Sequence, residues 1–336
     1  MKIWIDITNT PHVNVLMPLI KVLEIEHEII VSARDFSETI PLLMQNGIEP
    51  IVVGEYKGKS KVKKTLGLIE RVYSLNKIIP EFDISFSLGG NYTATISKWR
   101  KKPSIIFSDN DISFKGLSFR FSKYFIFPTY FRSEELSKKY GIPEDRIFKF
   151  DGFKEDIYLA DYEPDAKFLT QLPFSDFITV RPENLKASYI PSNSVTIVPQ
   201  LFDVFQGENI LFLPRYPEER SYAIGYDNIF IPDGPLNGLD VCHHTKAMLT
   251  GAGTFAREAA LLGTPAVSFF PGDQFLTVDE IMQANGWEFK SRSPKAIYEY
   301  VQTASKRESQ QDRSKTVLKE VVGVFKKIIH QESKGR

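Results

Sequence analysis

Short apolar runs rich in β-branched residues alternate with helix-patterned stretches along almost the whole 336-residue chain, and no other feature limits its fold so tightly. Strand and helix in strict alternation predict parallel sheets covered by helices, an α/β class. In the first half the pattern predicts strands at 3–7, 28–33, 50–53, 84–87, 104–108, 124–127 and 147–150. Helices are expected between them at 13–25, 36–46, 62–79, 92–101, 112–120 and 132–140. Ser37 suits a helix start, while Asn46-Gly47 and Gly141 suit helix stops. A polar, turn-rich stretch with Asp161, Glu163, Pro164, Asp165 and Pro173 then interrupts the series. It resumes with strands at 177–180, 210–213, 228–231, 247–249 and 266–269. Helices are predicted near 193–206, 217–224, 237–244, 254–262, 276–285, 294–304 and 308–331. The expected organisation is therefore two doubly wound Rossmann-like domains, 1–155 and 176–336, joined by a linker at 156–175. Ligands are expected in a cleft at the carboxyl ends of the strands.

Within this frame the stretch 248–270 is the most informative. It reads as a strand end, a Gly251-Ala252-Gly253 turn, an Ala-rich helix opening at about Thr254, and another strand. Two glycines let the backbone turn sharply and approach a ligand closely. The helix start then offers unpaired N–H groups and a positive dipole end, a setting suited to a phosphate or diphosphate. Glu258, one turn on, is placed to hold a pair of sugar hydroxyls. The plainer reading is a tight connection in an α/β domain.

Other candidates follow from strand ends. His12 comes after Pro11 where the first strand gives way to a helix; a neutral imidazole there can take a proton from a hydroxyl. The alternative is a helix-start histidine bonded to nearby backbone. Asp6, within the strand, is as suited to bonding the backbone of the following loop as to acting. Gly90 and Asn91 form a second Gly-rich turn that either contacts a substrate or simply connects. Asp109 ends the fifth strand and is the stronger functional carboxylate, as a catalytic base or a divalent-ion ligand, since Asp111 suits a helix N-cap. Arg181 and Arg215 end strands of the second series, and a guanidinium fork at either neutralises a departing diphosphate. Arg257 reads as a helix brace, and Asp273 and Gln274 as donor-sugar contacts.

Charge and cysteine content exclude some classes. The 42 basic and 42 acidic residues cancel, so no global field favours nucleic acid or a membrane surface. Cys242 stands alone, which excludes an internal disulfide and fits a reducing cytoplasm. No CxxC, HExxH or clustered His/Cys spacing calls for a metal, and His243-His244 is too isolated to be one. No window approaches the ~20 apolar residues of a membrane span, so no transmembrane segment is expected. The lysine run at 57–64 and the Phe-rich stretch at 112–131 allow a peripheral membrane contact. A solvated loop and core packing are their plainer uses.

Several of these motifs carry a family likeness. The runs at 87–94 and 102–110, with Phe127-Pro128-Thr129, residues 140–147 and Asp151-Gly152, resemble the amino-terminal half of GT-B glycosyltransferases, above all the N-acetylglucosaminyl transferase that makes lipid II. Residues 251–258 are similar to the UDP-binding turn of GT-B transferases and of non-hydrolysing UDP-N-acetylglucosamine 2-epimerases, where the glutamate matching Glu258 holds the ribose hydroxyls. Through 5–12, 180–183 and 259–272 the whole chain resembles an uncharacterised, largely archaeal family of this superfamily. The resemblance implies a GT-B protein that binds a UDP-sugar between two facing domains and transfers the sugar to an unknown acceptor, with a lipid-linked one among the options. It implies metal-independent catalysis, with no cofactor beyond the UDP-sugar substrate. Two departures rank the alternatives. Asn9-Thr10-Pro11-His12 replaces the transferases' Gly-Gly-His turn, and the epimerases' full set of catalytic carboxylates and histidine is not matched. An epimerase-like isomerase therefore comes second, and a non-catalytic nucleotide-sugar-binding protein third.

Overall fold

The computed structural model describes residues 1–36, 38–55, 61–110, 116–186, 190–191, 193–272 and 276–334. The first sheet holds β1 (Lys2–Ile7), β2 (Glu28–Asp35), β3 (Ile51–Glu55), β4 (Ile84–Leu88), β5 (Ser104–Phe107), β6 (Tyr124–Pro128) and β7 (Ile147–Phe150). These seven run parallel in the order β3-β2-β1-β4-β5-β6-β7. The second sheet holds β8 (Ile178–Arg181), β9 (Ile210–Phe212), β10 (Ile229–Phe230), β11 (Met248–Thr250), β12 (Ala266–Ser268) and β13 (Glu288–Lys290). Its six strands are also parallel, in the order β10-β9-β8-β11-β12-β13. Both are doubly wound, as the alternation predicts.

The β1 strand shows why the pattern reads this way. Side chains alternate between faces along a strand, and a parallel sheet covered on both faces buries both sets. Ile3, Ile5 and Ile7 join one core with Val13, Leu16 and Ile20 of the helix Thr10–Leu23. Trp4 points into the other, against Phe82, Val72 and Leu75, with its ring 5.1 Å from that of Phe82.

The chain forms two compact units, Met1–Tyr158 with Lys315–Arg336, and Leu159–Ser314. This division differs from the expected 1–155 and 176–336, because the end of the chain returns to the first unit. The cause is the apolar stripe of the last helix, Gln311–Lys334. Val317, Val321, Phe325 and Ile328 recur at helical spacing and are buried in the same core as Ile3, Ile5 and Ile7. Phe325 meets Phe86 of β4 edge-on, with ring centroids 4.5 Å apart.

Smaller differences have local causes. The strand β13 was not predicted, since Glu288-Phe289-Lys290 is short and flanked by charge. The helix expected near 217–224 is a 3-10 helix, Pro217–Ala223, and that near 193–206 is reduced to Val198–Val204. Ser37 and Asp111 lie outside the described residues, as do positions 57–60 of the lysine run. Residues 112–115 of the Phe-rich stretch also lie outside the described residues; in the rest, Phe119, Phe125, Phe127 and Phe131 are buried together in the core, with Phe127 stacked on Phe131 at 4.2 Å. Among the described residues no helix is long and apolar enough to cross a membrane.

Candidate functional site

In each sheet the strand order reverses once, between β1 and β4 in the first and between β8 and β11 in the second. Crevices open at such switch points beyond the carboxyl ends of the strands. His12, Gly90 and Asn91 follow β1 and β4 in the first unit. Arg181 closes β8 and Gly251 follows β11 in the second. Asp109 and Arg215 lie two and three residues beyond the neighbouring strands β5 and β9.

In the second unit, the helix Gly253–Leu261 starts one residue before the expected Thr254, with Ala252 extended as its N-cap and no side chain capping it. The Ala252 N–H donates to Thr250 Oγ1 (3.0 Å), and the Gly251 N–H to the Arg181 carbonyl (3.0 Å). Neither glycine occupies the left-handed region. What each supplies is space, and the protein's own atoms use it. A Cβ on Gly251 would stand 2.5 Å from Glu183 Cα, and one on Gly253 would stand 2.6 Å from an Arg257 nitrogen. Glu183, unpredicted as a site residue, is buried and pins the loop ahead of the helix Val198–Val204. It accepts from Thr196 Oγ1 (2.8 Å), Ile197 N (3.3 Å) and Arg292 (2.9 Å). Arg257 braces the helix as expected, donating to Asp279 Oδ1 (2.7 Å) and Thr254 Oγ1 (3.4 Å).

Arg181 is held beside this helix start. It donates to the Leu213 carbonyl (3.3 Å), and its guanidinium lies 5.5 Å from the centre of the Phe255 ring. Arg215 donates through Nε to the Pro182 carbonyl (2.8 Å), and its backbone N–H donates to Glu219 Oε2 (2.6 Å). Burial and then the neighbouring Arg215 charge pull the Arg181 pKa down to about 10, against the pull of Glu219 and Glu258. Glu258 is buried. Asp273 and Gln274 lie outside the described residues.

In the first unit, the site sits on a rigid foundation. Asp6 is buried and accepts from both terminal nitrogens of Arg71 (2.8 and 2.7 Å) and from Ser32 Oγ (2.7 Å). Its partners are these side chains, not the backbone of the following loop. Arg34 holds that loop by donating to the Thr8 carbonyl (2.8 Å) and Asn9 Oδ1 (3.1 Å). His12 occupies the first turn of the helix Thr10–Leu23, where its backbone N–H donates to the Asn9 carbonyl (3.0 Å). Its buried Nδ1 has no hydrogen-bond partner among the described residues, so the expected alternative of a side chain tied to nearby backbone does not describe that atom. Burial, followed by the Lys154 charge, lowers the imidazole pKa to about 4. Asp109 accepts from Lys154 Nζ at 2.5 Å, and Lys154 also reaches the fully buried Glu155 (3.5 Å). Lys154 and Glu155 were missed by sequence reasoning; their only signal was proximity to the end of β7. Gly90 abuts Ser87, with a Cβ placed 2.8 Å from its Oγ, and Asn91 Oδ1 accepts from the Ser118 N–H (2.9 Å). Both therefore have a structural use. Among the described residues no group of three or more His, Cys, Asp or Glu is placed to hold a metal ion.

A second perturbed group lies behind the second unit's helix. Glu288 is buried at the start of β13; Gln283 approaches its Oε1 at 3.5 Å, and Oε2 has no partner among the described residues. Burial and then the Asp279 charge push its carboxyl up to about 8. The folded state therefore holds a proton that the unfolded chain releases near its ordinary value of 4.5. This contribution is complete below that value and fades as pH rises through 8. Glu288→Gln is expected to flatten the loss of thermal stability between about pH 5 and 8, so that by about pH 8 it has gained about 2–5 kcal/mol on wild type relative to the difference at low pH. Parallel melting-temperature profiles for the two proteins would contradict this.

The profile of a family described as protein of unknown function (DUF354) matches residues 1–332. The chain belongs to the DUF354 family. An uncharacterised protein of Methanocaldococcus jannaschii is 23% identical over 334 residues, covering 90% of this chain and 91% of that one. Among solved structures, the UDP-GlcNAc 2-epimerase of M. jannaschii in complex with UDP-GlcNAc and UDP superposes with a TM-score of 0.69 at 17% identity, covering 96% of this chain and 99% of that one. The Neisseria meningitidis UDP-GlcNAc 2-epimerase bound to UDP-GlcNAc gives 0.71 at 12% identity, covering 96% and 100%. The glycotransferase of kitacinnamycin gives 0.62 at 10% identity, covering 98% of each chain. This DUF354 member thus has the GT-B-type fold, two Rossmann-like parallel-sheet domains, that the sequence resemblance implies.

Proposed function

We propose that this DUF354 protein binds a UDP-sugar through its second unit and transfers the sugar to an acceptor hydroxyl. The observation that carries the reading is the pair Arg181 and Arg215. Two guanidiniums, one of them largely desolvated by its surroundings, lie close enough for each to oppose the other's charge, beside a helix start that no side chain caps. Like charges held together in a partly buried place favour a multiply charged anion, and a diphosphate offers several oxygens to both. The UDP-sugar complexes of structural neighbours support the same ligand class. Glu258 then serves the ribose hydroxyls and the helix-start amides of Gly253 and Thr254 the phosphates, while Gly251 and Ala252, whose N–H groups are already donated, shape the turn.

In the first unit His12 is the better base, because Asp109 already neutralises Lys154. His12 accepts the acceptor's hydroxyl proton while that oxygen bonds the anomeric carbon. The carbon–phosphate oxygen bond breaks and its electron pair leaves with UDP, stabilised by the arginines, so no metal ion is needed for the leaving group. Gly90, Asn91, Asp273 and Gln274 are assigned to acceptor or donor-sugar contacts. Isothermal titration with UDP, UDP-GlcNAc and uridine tests the ligand class. UDP and its sugars are expected to bind and uridine to bind far more weakly; no heat at millimolar UDP would end the proposal. The fold neighbours favour a second reading, epimerisation. It predicts the 2-epimer of UDP-GlcNAc by proton NMR with no acceptor present, whereas transfer predicts no change.

A further inference from the structure

Arg292 lies just beyond β13 and takes no part in the proposed binding and transfer steps, yet its guanidinium joins three loops of the second unit. Nη1 donates to Glu183 Oε1 (2.9 Å), in the loop after β8, and to the Phe269 carbonyl (2.5 Å), just past β12. Nη2 donates to the Val195 carbonyl (2.6 Å), ahead of the helix Val198–Val204. Two of these contacts lead on to the Gly251–Gly253 turn. A Cβ on Gly251 would stand 2.5 Å from both Cα and Cγ of Glu183, so this residue is the wall against which Gly251 rests. Phe269 donates its N–H to the Thr250 carbonyl (2.9 Å), and Thr250 Oγ1 in turn accepts from the Ala252 N–H (3.0 Å). We propose that Arg292 is a positioning residue for the nucleotide subsite: through Glu183 and Phe269 it fixes the turn from which the helix-start amides of Gly253 and Thr254 project. This inference rests on the reading of that helix start as the phosphate site.

The chemistry of the pair explains why it holds the turn firmly. The Glu183 carboxylate is fully buried and takes donors from Arg292, Thr196 Oγ1 and the Ile197 N–H, so its orientation is set on every side. A planar guanidinium that meets a carboxylate and two carbonyls is equally fixed. Amides held in place before the ligand arrives spare it the cost of ordering them. Arg292→Met leaves the buried Glu183 charge uncompensated, so it loses stability whatever its role. Glu183→Gln/Arg292→Met removes that charge and should recover stability, while the Phe269 and Val195 carbonyls stay untied. A residue that merely supported the fold would recover ligand affinity together with stability. A positioning residue would not.

Two measurements on the full chain test this. Calorimetry with UDP should show Arg292→Met binding about 5-fold to 30-fold more weakly than wild type. The double variant should regain most of the melting temperature and stay as weak in UDP affinity as Arg292→Met. Amide hydrogen exchange without ligand reads the turn itself. The Gly251 and Ala252 amides, held by the Arg181 carbonyl and Thr250 Oγ1, should exchange about tenfold faster in both variants, with the amides of β11 as the unchanged reference. UDP affinity within twofold of wild type in Arg292→Met, affinity that returns with stability in the double variant, or unchanged exchange at Gly251 and Ala252 overturns the proposal. Should Arg292→Met fail to fold, the double variant alone decides it. The exchange measurement needs no nucleotide. A wild-type chain that binds no UDP would sink the phosphate reading, and faster exchange in the variants would still uphold Arg292 as the residue that fixes the turn.

Discussion

Replacing Arg71 by Met is expected to destabilise the first unit by about 3–5 kcal/mol, the range for stripping one partner from a buried ion pair. Asp6 is 1% exposed and Arg71 4%. The carboxylate takes both guanidinium nitrogens, and Arg71 Nε donates to the Val53 carbonyl at 2.7 Å. Without Arg71, the hydrogen bond left to Asp6 among the described residues is that from Ser32 Oγ. A buried carboxylate with one hydroxyl donor must take up a proton or draw in water, and both cost stability. The double variant Asp6→Asn/Arg71→Met should recover much of the loss, because no charge is then left uncompensated. Urea unfolding of the two single variants and the double variant measures this coupling. A loss below about 1 kcal/mol in Arg71→Met would mean that water reaches Asp6 freely. The pair also bears on the site. Arg71 stacks on Tyr92, its guanidinium 4.3 Å from the ring centre, and Tyr92 follows Asn91. It thereby links β1, β3 and the start of the helix Asn91–Trp99. The variant should accordingly loosen the turns at 8–12 and 89–92 before the sheet itself unfolds.

Arg181→Ala is expected to weaken UDP binding by about 30-fold to 1,000-fold, as for loss of a largely desolvated, charge-assisted contact. The same substitution should leave the unliganded protein as stable as wild type or slightly more so. It removes one of two crowded cations, and among the described residues the side chain gives up only the 3.3 Å hydrogen bond to the Leu213 carbonyl. Opposite effects on ligand affinity and on bare stability mark a side chain kept for binding and not for folding. Arg215→Ala should lose less affinity and more stability, since Arg215 Nε ties the β9 loop to the Pro182 carbonyl. Calorimetry with UDP, together with melting temperatures in its presence and absence, separates the two quantities. An Arg181→Ala protein that binds UDP like wild type would remove the main support for a diphosphate in the second unit.

The strand ends were legible because parallel strands buried on both faces are written as nearly continuous apolar runs that stop abruptly, as after Ile7, Leu88 and Leu249. The residues just past those stops, His12, Gly90, Arg181 and Gly251 among them, could therefore be nominated without coordinates. What each does locally was less legible. Gly251 was read as room for a ligand, but the atoms that fill that room belong to Glu183, sixty-eight positions earlier in the chain. Asp6 read as a loop-bonding or acting carboxylate, and only the packing of the helix Lys61–Ile78 reveals Arg71 as its partner. Lys154 was invisible for the same reason. Spacing along a chain carries local geometry well, and it carries almost nothing about which distant charge will come to rest beside a given ring.

The last helix has a consequence for biosynthesis. Because Val317, Val321, Phe325 and Ile328 belong to the core of Ile3, Ile5 and Ile7, the second unit is in effect an insertion between two pieces of the first. The part made earliest on the ribosome must wait, one stretch of its apolar core still uncovered beside the helix Thr10–Leu23, until the part made last emerges. The inserted lobe can meanwhile complete itself, so the order in which the two lobes mature is the reverse of the order in which they begin.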